Sequence, residues 1–320
     1  MLCRTFGGRQ LLAAVVLTLA ATSHAGGGGA YNRGAGSNAP SQAFEQKVTV
    51  DKDGKREVHE VVIDRGAPQK DHHGNAQGNQ YDLAVDGAFD GQTIAVLHFY
   101  LGFDFSLPKA ALKEKGFGVY RWVGQAPSPA ELEEKLKQAN QLWIISDAAP
   151  HLNDEHIAVI KRYFDSGRGV YIWGDNQPYY ADANAVGQAL LGVEMTGDIP
   201  GGHPVGIQKA ANMAGVRPNH LLTTGIETVF EGATIATINT NQILTPIIWG
   251  SANNIVTSAF ERDGKRAIFD GGFTRLYVGW ETAGTARYVK NAAAWLANVE
   301  RFGDAVTAAG PTKANQPVQQ

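Results

Sequence analysis

Short apolar runs alternate with helical patterns through the middle of the chain. Each run has the length of a buried strand and is rich in β-branched or aromatic residues. The runs cover residues 93–99, 118–123, 142–146 and 169–173. Helical patterns follow them, beginning near residues 107, 128, 153 and 181. Four strand–helix units in succession predict a parallel sheet with helices on both faces.

Different patterns flank these units. Residues 46–64 alternate apolar and polar positions around Asp53-Gly54, which predicts a β-hairpin. The Gly- and Pro-rich residues 193–222 predict a long loop, and a closing helix is predicted over 285–299. Between these two segments, further strands are predicted at residues 234–238, 245–249, 255–260 and 266–269.

The fourth strand of the repeating units leads into a turn of special interest. Val170 to Trp173 form its apolar run, Gly174 permits a sharp bend, and Asp175 and Asn176 favour turns and helix N-caps. Such a turn places polar groups at the carboxyl end of a strand, beside the free N–H groups that open the next helix. In open α/β sheets this is where ligands bind.

The first 25 residues show the three regions of a secretory signal peptide. Arg4 and Arg9 make the start basic, residues 11–21 are mostly apolar, and Ser23-His24-Ala25 matches a cleavage site. The apolar run is shorter than the ~20 residues that a membrane span needs. We therefore expect cleavage before Gly26, a secreted or periplasmic product, and no membrane span after processing.

Composition divides the chain into five predicted parts. These are a signal peptide (1–25), a flexible linker (26–45), an N-terminal β extension (46–91), an α/β domain (92–302) and a disordered tail (303–320).

Charge and cysteine usage exclude some classes of function. The net charge is −3 and no run of Lys or Arg occurs, so nucleic acid is not an expected partner. The one cysteine, Cys3, lies in the predicted signal peptide. The processed chain would then have no thiol nucleophile and no disulfide.

From about Gln92 to Arg301, the order of elements resembles the class I glutamine amidotransferase-like superfamily. Its trehalose-utilisation-like branch is the nearest match. The matching stretches are residues 142–147, 169–176, 219–226, 267–275 and 288–296. The resemblance implies a flavodoxin-like α/β fold, a mostly parallel sheet with helices on both faces, to which the hairpin at 46–64 adds an N-terminal β extension.

The chain departs from that superfamily at the nucleophile. Active amidotransferases of the superfamily carry a Gly-x-Cys-x-Gly elbow, whereas the aligned stretch here is Gly174-Asp175-Asn176-Gln177-Pro178. Asn176 stands at the nucleophile position, and a neutral amide cannot attack a carbonyl. Cysteine-dependent glutamine hydrolysis is therefore excluded.

Polar and aromatic side chains are predicted to gather at the carboxyl ends of the strands. The candidate ligand-binding residues are Asn176, Gln177, His98, Tyr100, Asp270 and Arg275. The candidate catalytic residues are Asp147, Asp175 and His203. The aromatic residues that would suit a sugar are Tyr100, Trp173, Tyr179, Tyr180 and Trp280.

Simpler roles are open for several of these residues. Asp147 and Asp175 would serve as helix caps, and His98 as a core histidine with a hydrogen-bond partner. Arg275 would form an ion pair with Asp147 or Asp175.

No metal motif with fixed spacing occurs in the sequence, and the pair His72-His73 has too few neighbouring ligands for a metal site. We therefore predict no cofactor. The one alternative left open is a divalent cation, which the acidic side chains at the strand ends would suit.

Two classes of function follow. The first is an exported, non-catalytic module that binds a small polar or carbohydrate-like ligand or a partner protein. The alternative is a cysteine-independent hydrolase or isomerase, with or without a metal, that acts on a carbohydrate-like substrate through the strand-end Asp and His groups.

Overall fold

The computed structural model describes residues 29–32, 34–36, 43–50, 55–63, 68–239, 241–281 and 283–303, with only the backbone of 43–50 and 56–63. The predicted signal peptide and almost all of the predicted tail lie outside the described residues.

Strands and helices alternate as the apolar pattern predicts. The first eight strands are β1 (Ala43–Val50), β2 (Arg56–Ile63), β3 (Thr93–His98), β4 (Gly118–Val123), β5 (Gln141–Ile145), β6 (Gly169–Trp173), β7 (Met195–Pro200) and β8 (Pro204–Gly206). The later strands are β9 (Gly215–Val216), β10 (Thr228–Phe230), β11 (Thr234–Ile238), β12 (Thr245–Trp249), β13 (Ile255–Arg262) and β14 (Lys265–Asp270). The helices are α1 (Ser106–Glu114), α2 (Pro129–Leu136), α3 (Asp154–Asp165), α4 (Ala181–Leu191), α5 (Thr285–Leu296) and α6 (Val299–Phe302).

The central sheet confirms the predicted fold class. Within the described residues its strand order is β4-β3-β5-β6-β14-β13-β12-β9. The first five of these strands are parallel, and β13, β12 and β9 continue the sheet in antiparallel pairs. Taken in chain order, the five parallel strands have the flavodoxin-like arrangement 2-1-3-4-5.

Two cores cover the two faces of this sheet. On one face, α1 and α5 pack over side chains such as Trp143 and Tyr171. On the other face, α2, α3 and α4 pack over Leu142, Ile144 and Ile172. Strands β5 and β6 are buried on both faces because helices cover both, which is why they appear as continuous apolar runs.

The predicted hairpin at 46–64 is present as the antiparallel pair β1–β2. The long loop predicted over 193–222 is wrong in part, because it contains β7, β8 and β9. β7 pairs with β11, and β8 pairs with β10. These strands are short and interrupted by Gly and Pro, so they have too few alternating positions to show a strand pattern.

The predicted domain start at Gln92 is too late. Leu83, Ala84 and Phe89 are fully buried in the same core as α5. Asp82 is also buried, and it forms ion pairs with Lys115 (2.9 Å), Lys290 (2.8 Å) and Arg287 (2.7 Å). An irregular segment with little periodicity thus forms part of the domain.

The predicted linker is wrong for residues 29–32 and 34–36. Ala30 is buried in the domain core, and the Asn32 N–H donates to the Leu83 carbonyl at 2.8 Å. The Gly36 N–H donates to Thr224 Oγ1 at 2.9 Å. Glycine-rich composition indicated a linker here, but small residues also fit closely against a packed surface.

Candidate functional site

The strand order places a topological switch point between β3 and β5. The chain leaves β3 for β4 on one side and later returns to β5 on the other side. The loops that follow β3, β5, β6 and β14 therefore meet at one edge of the sheet, where ligands of doubly wound sheets bind. All of the predicted site residues except His203 lie on or directly beside these four loops.

The turn after β6 is tight, but the next helix does not begin in it. A Cβ atom on Gly174 would lie 2.5 Å from Met195 Sδ and 2.9 Å from Tyr180 Cβ, so a larger residue would have to displace these side chains. The Gln177–Pro178 peptide is cis, and α4 begins only at Ala181. The prediction that Asp175 caps this helix is therefore wrong.

Asp175 connects three segments at the edge of the sheet. One carboxylate oxygen accepts from Thr234 Oγ1 and from the Asn176 N–H, and the other accepts from the Thr274 N–H at 2.9 Å. The side chain is fully buried. Burial raises the pKa of Asp175 to about 6, against the lowering effect of these hydrogen bonds. Asp175 holds the turn in place and has no exposed oxygen for catalysis.

Asn176 and Gln177 lie closer to solvent. Asn176 is half-buried, and its Nδ2 donates to Asp198 Oδ1 at 2.8 Å and to the Gln177 carbonyl at 3.3 Å. Gln177 is exposed, and its backbone N–H donates to the Gly197 carbonyl. The contacts with Asp198 and Gly197 come from β7, a strand that the sequence did not predict.

Arg275 is directed inward, away from both Asp147 and Asp175. Its Nη2 lies 3.1 Å from Asp270 Oδ1, and both side chains are fully buried. Arg275 also donates to the carbonyls of Glu231 (2.8 Å) and Gly272 (3.2 Å). The predicted ion pair with Asp147 or Asp175 is therefore wrong, and Arg275 cannot reach a ligand at the surface.

Asp270 lies in a buried hydrogen-bond network. Its Oδ2 accepts from Thr257 Oγ1 (3.0 Å), Tyr171 Oη (3.2 Å) and Tyr288 Oη (3.3 Å). Burial raises the pKa of this carboxyl, and the charge of Arg275 opposes that rise. Asp270 is a structural centre, and its predicted role in ligand binding is wrong.

His98 has the simpler of its two predicted roles. It is fully buried, Nδ1 lies 2.9 Å from Arg121 Nη1, and its ring contacts Phe103 and Phe105. Burial and the charge of Arg121 lower its pKa to about 4. His98 is therefore a neutral core histidine.

The end of β5 brings together a group that the sequence identified only in part. Ser146 Oγ accepts from the N–H groups of Asp182 and Ala183 at the start of α4. Asp182 is buried, and its Oδ1 accepts from the N–H groups of His151 and Leu152. Sequence reasoning missed Asp182, for which the signal was an acidic residue in the first turn of a helix.

Asp147 lies half-exposed in this group. Its Oδ2 is 3.7 Å from Nε2 of His151, whose ring stacks on Phe99 at 4.5 Å. Asp147 does not cap a helix, because α3 begins at Asp154 with Asn153 as its N-cap. The helix-cap prediction for Asp147 is wrong.

His203 lies between β7 and β8, where it is exposed. Its backbone N–H donates to the buried Glu231. Among the described residues, no group of three or more His, Cys, Asp or Glu side chains is arranged to hold a metal ion. The catalytic combination of Asp147, Asp175 and His203 is not assembled, because Asp175 is enclosed by other partners.

Aromatic side chains from three loops form a cluster at this edge, which we call the aromatic rim. Its members are Tyr100, Phe103, Tyr179, Phe273 and Tyr277. Phe103 and Tyr277 stack with centroids 4.7 Å apart, and the Tyr100 and Tyr277 hydroxyls are 3.5 Å apart. All of the members except Phe273 are half-exposed.

Part of the predicted aromatic set lies elsewhere. Trp173 is fully buried and Trp280 nearly so. Tyr180 packs against the core on the opposite face of the sheet. Sequence reasoning missed Phe103 and Tyr277, because nothing in a linear pattern shows that residues so far apart in the chain share one surface.

The rim is connected to the core at Phe105. This residue has φ of +66°, a left-handed conformation that is strained for a bulky side chain. Its ring is buried between His98 (5.9 Å), Trp143 (6.3 Å) and the Arg121 guanidinium (5.7 Å). Packing of this kind holds a strained residue in place and so fixes the loop that carries Tyr100 and Phe103.

Comparison with known proteins gives likeness of fold only. No family model matches the chain, and no curated protein matches it. Among solved structures, it is similar to a protein described as part of a GMP synthase of Thermoplasma acidophilum (11% identity, TM-score 0.42), covering 66% of this chain and 96% of that one. A ThuA-like protein of Bacteroides uniformis gives 12% identity and a TM-score of 0.43, with 65% and 91% covered.

A third similar structure is Agd3, a carbohydrate deacetylase, with 13% identity and a TM-score of 0.41, covering 64% of this chain and 32% of that one. At these identities and scores, the fold assignment rests on the strand order of this chain alone. No helix among the described residues is long and apolar enough to cross a membrane.

Proposed function

We propose that this domain binds a hydroxyl-rich ring ligand, a carbohydrate by class, at the aromatic rim and does not transform it. The observation that carries the proposal is the set of four half-exposed aromatic rings, Tyr100, Phe103, Tyr179 and Tyr277, at the carboxyl edge of a doubly wound sheet. Ligand sites combine apolar faces with a few polar groups that fix orientation.

The chemistry of the rim suits such a ligand. Aromatic faces contact the C–H groups of a sugar ring over a large area, and the paired hydroxyls of Tyr100 and Tyr277 both donate and accept hydrogen bonds. The half-exposed Asn176 and the exposed Gln177 follow β6 on the same edge and add amide groups. The rim is also preorganised through Phe105, which reduces the entropy cost of binding.

The lack of a cysteine after Cys3 supports the non-catalytic part of the proposal. Asn176 stands where the resembling superfamily has cysteine, and its amide is bonded to Asp198. The carboxylate nearest in sequence, Asp175, is buried with its oxygens bonded to its neighbours. Among the described residues, Asp175 is held by other partners and His203 is exposed, so their geometry does not favour the alternative of a hydrolase or isomerase that uses Asp147, Asp175 and His203.

A carbohydrate panel tests the proposal. Thermal shift with soluble gluco-, manno- and galacto-oligosaccharides and N-acetylhexosamines identifies a binder through its stabilisation of the folded state. The expected result is binding without turnover when the same mixture is followed by chromatography. If the bound sugar is hydrolysed or isomerised, the enzyme alternative holds. If no panel member binds, a carbohydrate is not the ligand.

Export is part of the same proposal. It is supported by the basic, apolar and Ser23-His24-Ala25 segments of the first 25 residues. Cleavage before Gly26 would leave Ala30, which belongs to the core, in place. Mass spectrometry of the protein from culture medium or periplasm should give an N-terminus near Gly26. An intact Met1 in those fractions would contradict the proposal.

A further inference from the structure

Strand β4 is an unprotected edge of the central sheet. Within the described residues it pairs only with β3. The N–H groups of Gly118 and Gly124 donate toward β3, so the alternate residues Val119, Arg121 and Val123 direct their backbone groups outward. The opposite edge strand, β9, has only two residues. A six-residue edge is a template for pairing with another strand.

The side chains on the α2 face of β4 are largely aromatic. Tyr120 is 37% exposed, and its ring meets Trp122 edge-on at 4.9 Å. A groove of about 330 Å³ lies beside Tyr120, where Gly118 contributes no side chain. This edge therefore offers apolar surface together with backbone groups that pair with no second strand among the described residues.

Two charges of opposite sign accompany these rings. Lys135 Nζ lies 4.5 Å above the Tyr120 ring. Glu131, one turn earlier on α2, accepts from Trp122 Nε1 at 2.9 Å. The edge thus presents a cation beside Tyr120 and an anion beside Trp122. When two copies of this edge run antiparallel, the cation of one can lie beside the anion of the other.

We propose that β4 pairs in antiparallel fashion with β4 of a second copy of the chain, across a two-fold axis at Arg121, so that the two sheets become continuous. A two-fold axis perpendicular to the sheet is centred on a single residue, because paired residues face the same side. The residues near the middle of β4 on which the axis could be centred are Tyr120, Arg121 and Trp122.

Charge selects among these three registers. An axis at Tyr120 brings two Lys135 side chains together, and an axis at Trp122 brings two Glu131 side chains together. An axis at Arg121 places Lys135 beside the partner's Glu131 twice, and Tyr120 opposite the partner's Trp122 twice. Cross-strand aromatic pairs and opposite charges both stabilise antiparallel strands.

The two Arg121 side chains do not oppose this register. Each guanidinium is held back over its own sheet, 2.9 Å from His98 Nδ1 and 5.7 Å from the Phe105 ring. Their charges are therefore directed away from the axis.

The first test is the mass of the purified chain in solution. Sedimentation equilibrium between roughly 1 and 100 µM, a range that covers affinities of ordinary specific complexes, should give twice the chain mass found by mass spectrometry. A monomer throughout this range overturns the proposal.

Charge-swap variants test the register. Lys135→Glu should raise the dimer dissociation constant by roughly tenfold or more, since two attractive pairs become repulsive. Adding Glu131→Lys should lower it again by at least about threefold, because the swapped charges are complementary. The restored association also excludes misfolding as the cause of the loss.

Lys137→Glu is the matched control. Lys137 lies at the end of the same helix, pairs with Glu134 at 2.8 Å, and lines the groove between α2 and α3. This variant changes the charge equally but away from β4, so it should leave the dimer intact. If Lys135→Glu leaves the dissociation constant unchanged, or if Lys137→Glu raises it as much as Lys135→Glu does, the dimer uses another surface and the proposal is wrong.

Discussion

Two regions at the carboxyl ends of the parallel strands, the turn after β6 and the aromatic rim, differ in whether their side chains are buried or exposed. In the turn after β6, Asp175 is fully buried and bonded to Asn176, Thr234 and Thr274. In the aromatic rim, Tyr100 and Tyr277 are half-exposed, with hydroxyls 3.5 Å apart. The sequence motif predicts the functional site in the turn after β6. In the structure this turn instead holds the loops at the carboxyl ends of the strands together. The surface that can accept a ligand is the neighbouring aromatic rim.

This difference shows that the position of a polar residue at a strand end does not fix its role. Asp175, Asp270 and Arg275 all lie at such ends, and all three are enclosed by protein partners. Their hydrogen bonds and the Asp270–Arg275 ion pair stabilise one arrangement of the loops. The rim is then held on a rigid base, which a binding site needs.

The largest expected effect on stability comes from the buried ion pair. Arg275→Met leaves Asp270 buried without its cation, so the free energy of unfolding should fall by about 3–5 kcal/mol in urea titration. Arg162→Met is the control, because its ion pair with Glu133 is exposed (59% and 47%) and should contribute less than about 1 kcal/mol. Equal effects for the two variants would mean that the edge does not depend on its buried network.

The pH dependence of stability tests Asp175. Its pKa is about 6 when folded and has an ordinary value of 3.8, so the folded state holds its proton more tightly between these values. Folding stability relative to Asp175→Asn should therefore fall as pH rises from about 4 to about 6, by at most about 1.4 kcal/mol per pH unit.

Urea titrations of wild type and Asp175→Asn at intervals from pH 4 to 7 measure that difference, in which the contributions of other groups cancel. A constant difference across the range would show that the Asp175 carboxyl is not enclosed as described.

A smaller effect is expected at Gly174. The Cβ atom of Gly174→Ala would meet Met195 Sδ at 2.5 Å, and overpacking of this kind costs about 1–3 kcal/mol. Gly206→Ala is the control, because its Cβ atom would meet nothing closer than the Glu227 carbonyl at 3.9 Å. Thermal unfolding of both variants measures the difference, and a Gly174→Ala variant as stable as Gly206→Ala would refute the tight turn.

The sequence predicted most of the fold because periodicity reports burial. The predicted and observed bounds agree for β4, β6, β11 and β12, and α4 begins at the predicted residue, since each is a clear apolar or amphipathic run. Prediction from the sequence failed where the local structure depends on contacts with residues far away in the chain. The β7 strand is short and Gly-containing, and Ala30 lies in a glycine-rich segment that a local pattern identifies as a linker.

The candidate site was predictable as a place but not as a set of residues. The strand order brings the loops after β3, β5, β6 and β14 together, and the alternation of elements indicated this. Whether a charged residue is enclosed or exposed depends on tertiary contacts. Arg275 is fully buried although arginine is seldom so, and Tyr277 joins Tyr100 and Phe103 only in the folded chain.

The central claim is that the rim, rather than the turn, holds the ligand. The most direct measurement is titration calorimetry of the best-binding oligosaccharide of the panel with wild type, Tyr277→Ala, Asn176→Ala and the control Tyr120→Ala, which alters a tyrosine of β4 outside the rim. Affinity should fall roughly tenfold or more in Tyr277→Ala, by less in Asn176→Ala, and not at all per chain in Tyr120→Ala. Unchanged affinity in Tyr277→Ala, or a greater loss in Asn176→Ala, would contradict the account and return the site to the turn.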